Sequence, residues 1–346
     1  MSKKIILTGG GTAGHVMPAL ALIPELKRRF GEVHWIGRKE GMEKELVGND
    51  AVYHGIDCPK FDRSKPTPAL AVPFKLMKAA DEAEKLIRQI APDVIFSKGG
   101  YVSLPAALGK GDVPLVLHES DTSLGLANKL AAQSADAVCS SFPLPDFCGV
   151  EIIHTGSPLR SGIYSGNREL ALAKCGFDGK RKVLLITGGS LGAKAINDGV
   201  DGCIETLTDR FDVIHIRGRG NDAEKRKGYY PISFTSEIFD LLAAADFAVT
   251  RGGGNSLFEL GALAVPMLII PLPKGASRGD QVENAAYFKR EGLALTLDQD
   301  DIGKLPAALT ELENSAPHLI AKMKRYAFDG TGEIIRIIER VSGINN

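Results

Sequence analysis

Residues 8–18 read TGGGTAGHVMP and set four glycines and one histidine between two apolar stretches. Glycine lets backbone N–H groups come close to a ligand, and a helix N-terminus behind such a loop favours an anion. Histidine titrates near neutral pH and can move a proton. The chemistry this spacing suits is anion binding beside proton transfer. A second loop, TGGSLGAKAIN at 187–197, repeats the opening Thr-Gly-Gly and adds the hydroxyl of Ser190. A third, RGGGNSLFEL at 251–260, sets Gly254, Asn255 and Ser256 before Glu259. A diphosphate could sit on the first three, and a carboxylate about one turn on could take two adjacent hydroxyls. An acid that merely stabilises the first turn of a helix is the competing reading of Glu259. Asp280, Gln281 and Asn284 share one helix face and suit sugar hydroxyls or, for Asp280, helix capping. KGGYVSLP (98–105) and LHESDTSLG (117–125) complete the set; His118 and Glu119 are strand neighbours that point to opposite faces.

These residues need strands to bring them together. KIILT, VHWIG, DVIFS, PLVLH and AVCSSF read as short strands. PALALIPELKRRF, MEKELVG, PFKLMKAADEAEKLIRQI, LPAALGK and GLANKLAAQSA read as the helices between them. The pattern then restarts at KRKVLLITGGSLGAK, and FDVIHIRG, DFAVTRGG and PMLIIP follow as strands. This alternation predicts an α/β chain with two Rossmann-like, doubly wound parallel sheets. The glycine- and serine-rich segment 154–166 marks the boundary, and TGEIIRIIERV closes the chain as an amphipathic helix.

Bulk properties exclude several classes. The 346 residues suit two domains. Lys+Arg and Asp+Glu both number 42, which gives no global case for nucleic acid. The five cysteines form no CxxC pair, so reduced thiols are expected rather than a zinc site or a disulfide framework. The first apolar run is too short for a signal peptide, and no stretch reaches the roughly 20 apolar residues of a membrane span. Neither glycine loop ends in the Gly-Lys-Ser/Thr of a phosphate loop, and no acid ends the second strand as a dinucleotide site requires. DQD at 298–300 reads as a solvated turn rather than a metal-binding DxD.

GGGTAGHVMPALAL, SKGGYVSLPAAL, LHESDTSLGLANKLAA, TGSPLR, TGGSLGAKAIN and GGGNSLFEL followed by GDQVENA fall in one order along nearly the whole chain. This ordered set resembles the MurG family of glycosyltransferases (glycosyltransferase family 28). The resemblance implies a GT-B fold, two Rossmann-like domains facing across a cleft. An acceptor- and membrane-binding domain would span 1–157 and a UDP-GlcNAc-binding domain 158–325, and a helix at 326–346 would return to the first. It implies inverting transfer of N-acetylglucosamine (GlcNAc) from UDP-GlcNAc to the 4-hydroxyl of the N-acetylmuramic acid (MurNAc) of lipid I, giving lipid II.

Carried over residue by residue, His15 and Glu119 would be catalytic, with His15 as the general base or as the group that settles the acceptor phosphates. Thr12, Gly14, Asp121, Arg160, Ser190, Phe234, Thr235, Gly254, Asn255, Ser256, Glu259 and Gln281 would serve the donor. Gly11, Thr12, Ala13, His15 and Tyr101 would serve the acceptor. Better-known members have asparagine where this chain has Asp121, and two glutamines where it has Asp280-Gln281. No metal or other cofactor is implied. The expected place is the cytoplasmic face of the cell membrane, bound peripherally to an anionic surface, with cell-wall and division proteins as partners. Segment 58–78 mixes Lys60, Arg63, Lys65, Lys75 and Lys78 with Leu70, Val72, Phe74, Leu76 and Met77, which suits a lipid surface or an ordinary loop and helix face. Other readings are a related GT-B glycolipid transferase, a UDP-GlcNAc 2-epimerase and a non-catalytic UDP-sugar-binding protein.

Overall fold

The computed structural model describes residues 2–58, 71–189, 192–235, 237–275 and 279–344; side chains are described for these except 71–73. The chain divides into two compact units. Residues 1–160 and 329–346 form the first, and residues 161–328 the second.

The first unit is built on a seven-stranded parallel sheet. Its strands are β1 (Lys4–Thr8), β2 (Glu32–Arg38), β3 (Val52–Ile56), β4 (Val94–Ser97), β5 (Leu115–Glu119), β6 (Ala137–Ser140) and β7 (Ile152–His154), in the order β3-β2-β1-β4-β5-β6-β7. Its helices are α1 (Ala13–Arg29), α2 (Met42–Val47), α3 (Ala71–Ile90), α4 (Leu104–Leu108) and α5 (Leu126–Ala131). Side chains alternate across a strand, and β1 shows the consequence. Ile5 and Leu7 enter one core with Val16 and Leu22 of α1, whereas Ile6 enters another with Ala83 and Ile87 of α3 and Ala106 of α4. A sheet covered on both faces needs the near-continuous apolar runs the central strands carry.

The second unit has a six-stranded parallel sheet of β8 (Lys182–Thr187), β9 (Phe211–Ile216), β10 (Tyr229–Ile232), β11 (Phe247–Thr250), β12 (Met267–Ile269) and β13 (Leu295–Thr296), in the order β10-β9-β8-β11-β12-β13. Helices α6 (Arg168–Cys175), α7 (Lys194–Asp201), α8 (Ile204–Thr208), α9 (Ile238–Ala244), α10 (Gly254–Ala262), α11 (Asp280–Arg290) and α12 (Leu305–Met323) surround it. Phe258 of α10 meets Phe288 of α11 edge-on at 5.8 Å and Phe328 at 5.7 Å, which fixes the helix that carries Glu259. The last helix, α13 (Thr331–Val341), belongs to the first unit. It buries Ile334, Ile335, Ile337 and Ile338 against the α1 side of the sheet, each worth about 1.5–3 kcal/mol.

Two sequence expectations change. The helix read from Pro18 begins at Ala13, so His15 lies in the first turn of α1 and not in the loop before it. Pro18 resembles a helix start because proline favours the first helical position, but here it sits one turn inside. Strands β3, β7, β10 and β13 had no counterpart in the sequence reading, and all four are sheet edges. An edge strand has one partner and needs no unbroken apolar run. Pro231, which cannot donate to a ladder, is tolerated in β10 for that reason.

Candidate active site

In an open parallel sheet the strand ends on the carboxyl side form the ligand-binding edge. In the first unit the segments following β1, β4 and β5 meet there. The loop after β4 nests on the loop after β1 because glycines let it. Gly100 has φ +80°, and a Cβ on it would lie 2.6 Å from the Gly10 carbonyl oxygen and 3.2 Å from the His15 ring. Gly11 has φ +84°, and a Cβ there would lie 2.6 Å from the Tyr101 ring. His15 and Tyr101, 86 positions apart by number, therefore flank one loop. The Thr12 hydroxyl lies 2.9 Å from His15 Nδ1, and the His15 N–H donates to Thr12 O at 3.1 Å. Thr12, Gly14 and Ala13 form the turn into α1, with Thr12 and Gly14 exposed and Ala13 half-buried.

Beneath this loop lies a carboxylate the sequence reading missed. Glu43 is fully buried and accepts the Arg38 N–H at 2.9 Å. A Cβ on Gly10, Gly37 or Gly41 would each strike it. Arg38 Nη1 donates to the Tyr101 hydroxyl at 3.3 Å. Burial raises the pKa of that phenol, so Tyr101 presents a neutral O–H.

Glu119, expected to be catalytic, is tied into the turn after β5. It is 5% exposed and accepts four hydrogen bonds: from Ser120 N (2.9 Å), Asp121 N (3.2 Å), Gly125 N (2.7 Å) and Asn128 Nδ2 (2.9 Å). A carboxylate offers about four acceptor sites, so these donors occupy it. These bonds make Glu119 the clamp of the 120–125 turn. Asp121 rides on that turn. Behind it Lys98, 1% exposed, donates Nζ to Ser120 Oγ. Burial pushes the Lys98 pKa down to about 8, against the pull of Glu119 and Asp121. A lysine ending an apolar strand and followed by two glycines was the available signal for it.

In the second unit the loops after β8, β10, β11 and β12 gather at the corresponding edge. Ser190 lies outside the described residues. No side chain among the described residues caps α10 at Gly253, and Gly254, Asn255 and Ser256 form its first turn. Glu259 is half-buried on the next turn. Two residues hold this loop from behind. Arg251, 8% exposed, donates Nη1 to the carbonyls of Ile270 (3.0 Å) and Pro271 (3.2 Å) and Nη2 to Gln299 Oε1 (2.7 Å). Asn284, fully buried, donates Nδ2 to Gly252 O at 2.9 Å. Asn284 thus braces the glycine loop instead of facing a sugar. Gln299, read as part of a solvated turn, is instead the end of the Arg251 fork.

Gln281 Oε1 accepts the Leu272 N–H at 3.0 Å, so its amide is oriented by the β12–α11 loop. Phe234 is 53% exposed with the Arg219 guanidinium 4.7 Å over its ring. Thr235 Oγ1 accepts the Glu237 N–H at 3.0 Å. Arg160, expected among the donor groups, is the last residue of the first unit before the chain crosses. Thr12, Gly14 and Asp121, expected there too, also belong to the first unit. Among the described residues no group of three or more His, Cys, Asp or Glu could hold a metal ion, and all five cysteines are free thiols.

The comparisons agree along the chain. The model for the glycosyltransferase family 28 N-terminal domain matches residues 5–140, and that for the family 28 C-terminal domain matches 183–336. The UDP-N-acetylglucosamine–N-acetylmuramyl-(pentapeptide) pyrophosphoryl-undecaprenol N-acetylglucosamine transferase of Clostridium botulinum (strain Alaska E43 / Type E3) is 42% identical, covering 97% of this chain and 96% of that protein. The protein of the same description from Geobacillus kaustophilus is 42% identical, covering 98% and 99%. Among solved structures, Acinetobacter baumannii MurG superposes with a TM-score of 0.76 at 25% identity, covering 98% of this chain and 99% of that one. A calicheamicin glycosyltransferase, at 16% identity and a TM-score of 0.69, covers 99% of each chain and shares the fold alone. With two parallel-sheet units of the GT-B kind, each matched by its own family model, the chain belongs to glycosyltransferase family 28.

Proposed function

We propose that this chain transfers N-acetylglucosamine from UDP-GlcNAc to the 4-hydroxyl of the MurNAc of lipid I, forming lipid II for peptidoglycan. The near-full-length identity of 42% with a transferase described by that reaction carries the reading. The first unit takes the acceptor and the second holds the nucleotide sugar. His15 accepts the proton of the attacking hydroxyl, with Tyr101 and the 11–14 backbone lining the acceptor side. The anomeric carbon is attacked opposite the UDP leaving group, and its configuration inverts from α to β. The N–H groups of the first turn of α10 stabilise the departing diphosphate in place of a metal. Glu259 binds the ribose hydroxyls, the 234–235 backbone meets the uracil, and Gln281 meets the sugar.

A lipid-linked acceptor requires contact with a membrane. Among the described residues no helix is long and apolar enough to cross one. On α3, Phe74 is 74% and Met77 66% exposed beside Lys75 and Lys78, a pairing that suits an anionic lipid surface. Residues 59–70 of the same segment lie outside the described residues. We infer peripheral binding at the cytoplasmic face, where cell-wall and division proteins would be its partners.

Transfer of radiolabelled GlcNAc to a short-chain lipid I analogue, with EDTA present, tests the reading in wild type and His15→Ala. Transfer by wild type and a large loss in the variant are expected. Conversion of UDP-GlcNAc to another UDP-sugar without acceptor would point to an epimerase, and binding without turnover to a sugar-binding protein.

A further inference from the structure

Glu43 is the most deeply buried carboxylate among the described residues, at 0% exposure. Three glycines make room for it. A Cβ on Gly10 would lie 2.8 Å from its carboxyl carbon, one on Gly37 2.9 Å from its Cγ, and one on Gly41 2.1 Å from its Oε1. None of the three has the positive φ that favours glycine. It is space for this side chain that excludes a Cβ there, shared at Gly37 with the Tyr53 phenol.

Two segments aim N–H donors at this carboxylate. Arg38 N–H donates to Oε1 at 2.9 Å, and Gly11 N–H to Oε2 at a long 3.5 Å. The Arg38 carbonyl accepts the Tyr53 O–H at 2.6 Å, so the backbone of Arg38 is held on both sides. From the last position of β2, the Arg38 guanidinium donates to the Tyr101 hydroxyl at 3.3 Å. The Tyr101 ring in turn lies against Gly11. Contacts therefore run from Glu43 to Arg38, to Tyr101, to Gly11 and back to Glu43. This circuit joins the segments that follow β1, β2 and β4. Wholly buried, Glu43 cannot itself meet a substrate.

We propose that Glu43 is a positioning residue for the acceptor side of the transfer reaction: its buried carboxylate fixes Gly11 directly and Tyr101 through Arg38. The proposal rests on the transfer reading above. Residues 8–14 contain four glycines, the residue type that loses most conformational freedom on ordering. A loop ordered only when the acceptor arrives would subtract that cost from acceptor affinity. A carboxylate that holds the loop and its tyrosine neighbour in advance removes the cost. The donor, held by the second unit, gains nothing from it.

Steady-state transfer by the full chain from UDP-GlcNAc to the short-chain lipid I analogue is measured with each substrate varied in turn. Wild type, Glu43→Gln, Tyr101→Phe and the double variant are compared. Glu43→Gln keeps the volume but sets an NH₂ against one of the two N–H donors. It should raise the KM for the acceptor analogue about tenfold and leave the KM for UDP-GlcNAc unchanged. A carboxylate that served stability alone would lower the folded fraction, and so the apparent kcat, with both KM values intact. The double variant should lose less acceptor kcat/KM than the product of the two single losses, because both changes break one circuit. An unchanged acceptor KM in Glu43→Gln, equal rises in both KM values, or losses that simply multiply would overturn the proposal.

If Glu43→Gln fails to fold by circular dichroism, Arg38→Met serves. It keeps the N–H that Glu43 accepts and withdraws the guanidinium from Tyr101. The acceptor KM alone should rise in it, and a wild-type value counts against the proposal. A wild type that transfers to no acceptor sinks the transfer reading instead. The melting temperatures of the single and double variants then still read the circuit, and additive shifts would refute it.

Discussion

The Thr12 hydroxyl lies 2.9 Å from Nδ1 of His15, and the same threonine, at the N-cap of α1, makes no side-chain cap to the helix. The hydroxyl serves the imidazole instead. In the tautomer in which Nδ1–H donates to Thr12 Oγ1, Nε2 keeps its lone pair, which is the form a general base needs. Thr12→Val keeps the shape and removes the acceptor. It should lower kcat about tenfold with the KM for UDP-GlcNAc unchanged, whereas His15→Ala should cost about 10²–10⁴-fold. Steady-state kinetics checks this, and wild-type kcat in Thr12→Val would detach the hydroxyl from any such role.

Glu119 separates a clamp from a catalyst by the same logic. Glu119→Gln is nearly isosteric but exchanges one acceptor oxygen for a donor NH₂, which would face an N–H of Gly125, Asn128 or Ser120. Each orphaned donor costs about 1–3 kcal/mol. The variant should melt several degrees below wild type and lose activity together with that stability. A variant of wild-type melting temperature with kcat down by orders of magnitude would instead return Glu119 to the chemistry.

Arg251 makes the corresponding argument in the second unit. Its planar fork ties the end of β11 to two carbonyls after β12 and to Gln299. A lysine carries the charge but cannot span three acceptors in one plane. Arg251→Lys should destabilise by about 2 kcal/mol and raise the KM for UDP-GlcNAc, because the loop that opens α10 loses its support. Gln299→Ala removes one arm and should do less of both. Calorimetry with donor kinetics measures the pair; an unchanged KM in Arg251→Lys would separate the fork from the donor loop.

Much of this was legible before any coordinates. KIILTGGG and KVLLITGG were readable because a strand buried on both faces must be continuously apolar and a tight turn onto a helix must be glycine. TGEIIRIIERV was readable because four isoleucines at helical spacing fit one buried face. Strands β3, β7, β10 and β13 were not, since each closes a sheet edge and needs no unbroken apolar run, and β10 even carries Pro231, which cannot donate to a ladder. At the site, the glycine loops and His15 stood out by residue type. The roles of Glu119, Lys98, Glu43 and Arg251 did not, because their partners are backbone N–H and C=O groups or distant side chains, which leave no mark in local spacing.

The first unit should also weaken in mild acid through His118. This ring is fully buried, its Nε2 lies 3.1 Å from Gly156 O, and Nδ1 has no partner among the described residues. Burial first, and the Lys98 charge second, hold its pKa well below 6.5. In the unfolded chain it protonates near its ordinary value of about 6.5. Between those two values the unfolded state binds the extra proton, so stability falls as pH drops below about 6.5. His154 and His54, also lowered by burial, act in the same direction in the same unit. The single tryptophan of the chain, Trp35, is buried in the core of that unit and reports on it directly. Urea unfolding followed by Trp35 fluorescence should give a lower midpoint at about pH 5 than at about pH 7.5. His118→Gln keeps an N–H for Gly156 O and does not titrate, so it should narrow the difference between the two midpoints; a difference as wide as in wild type would place the acid sensitivity elsewhere.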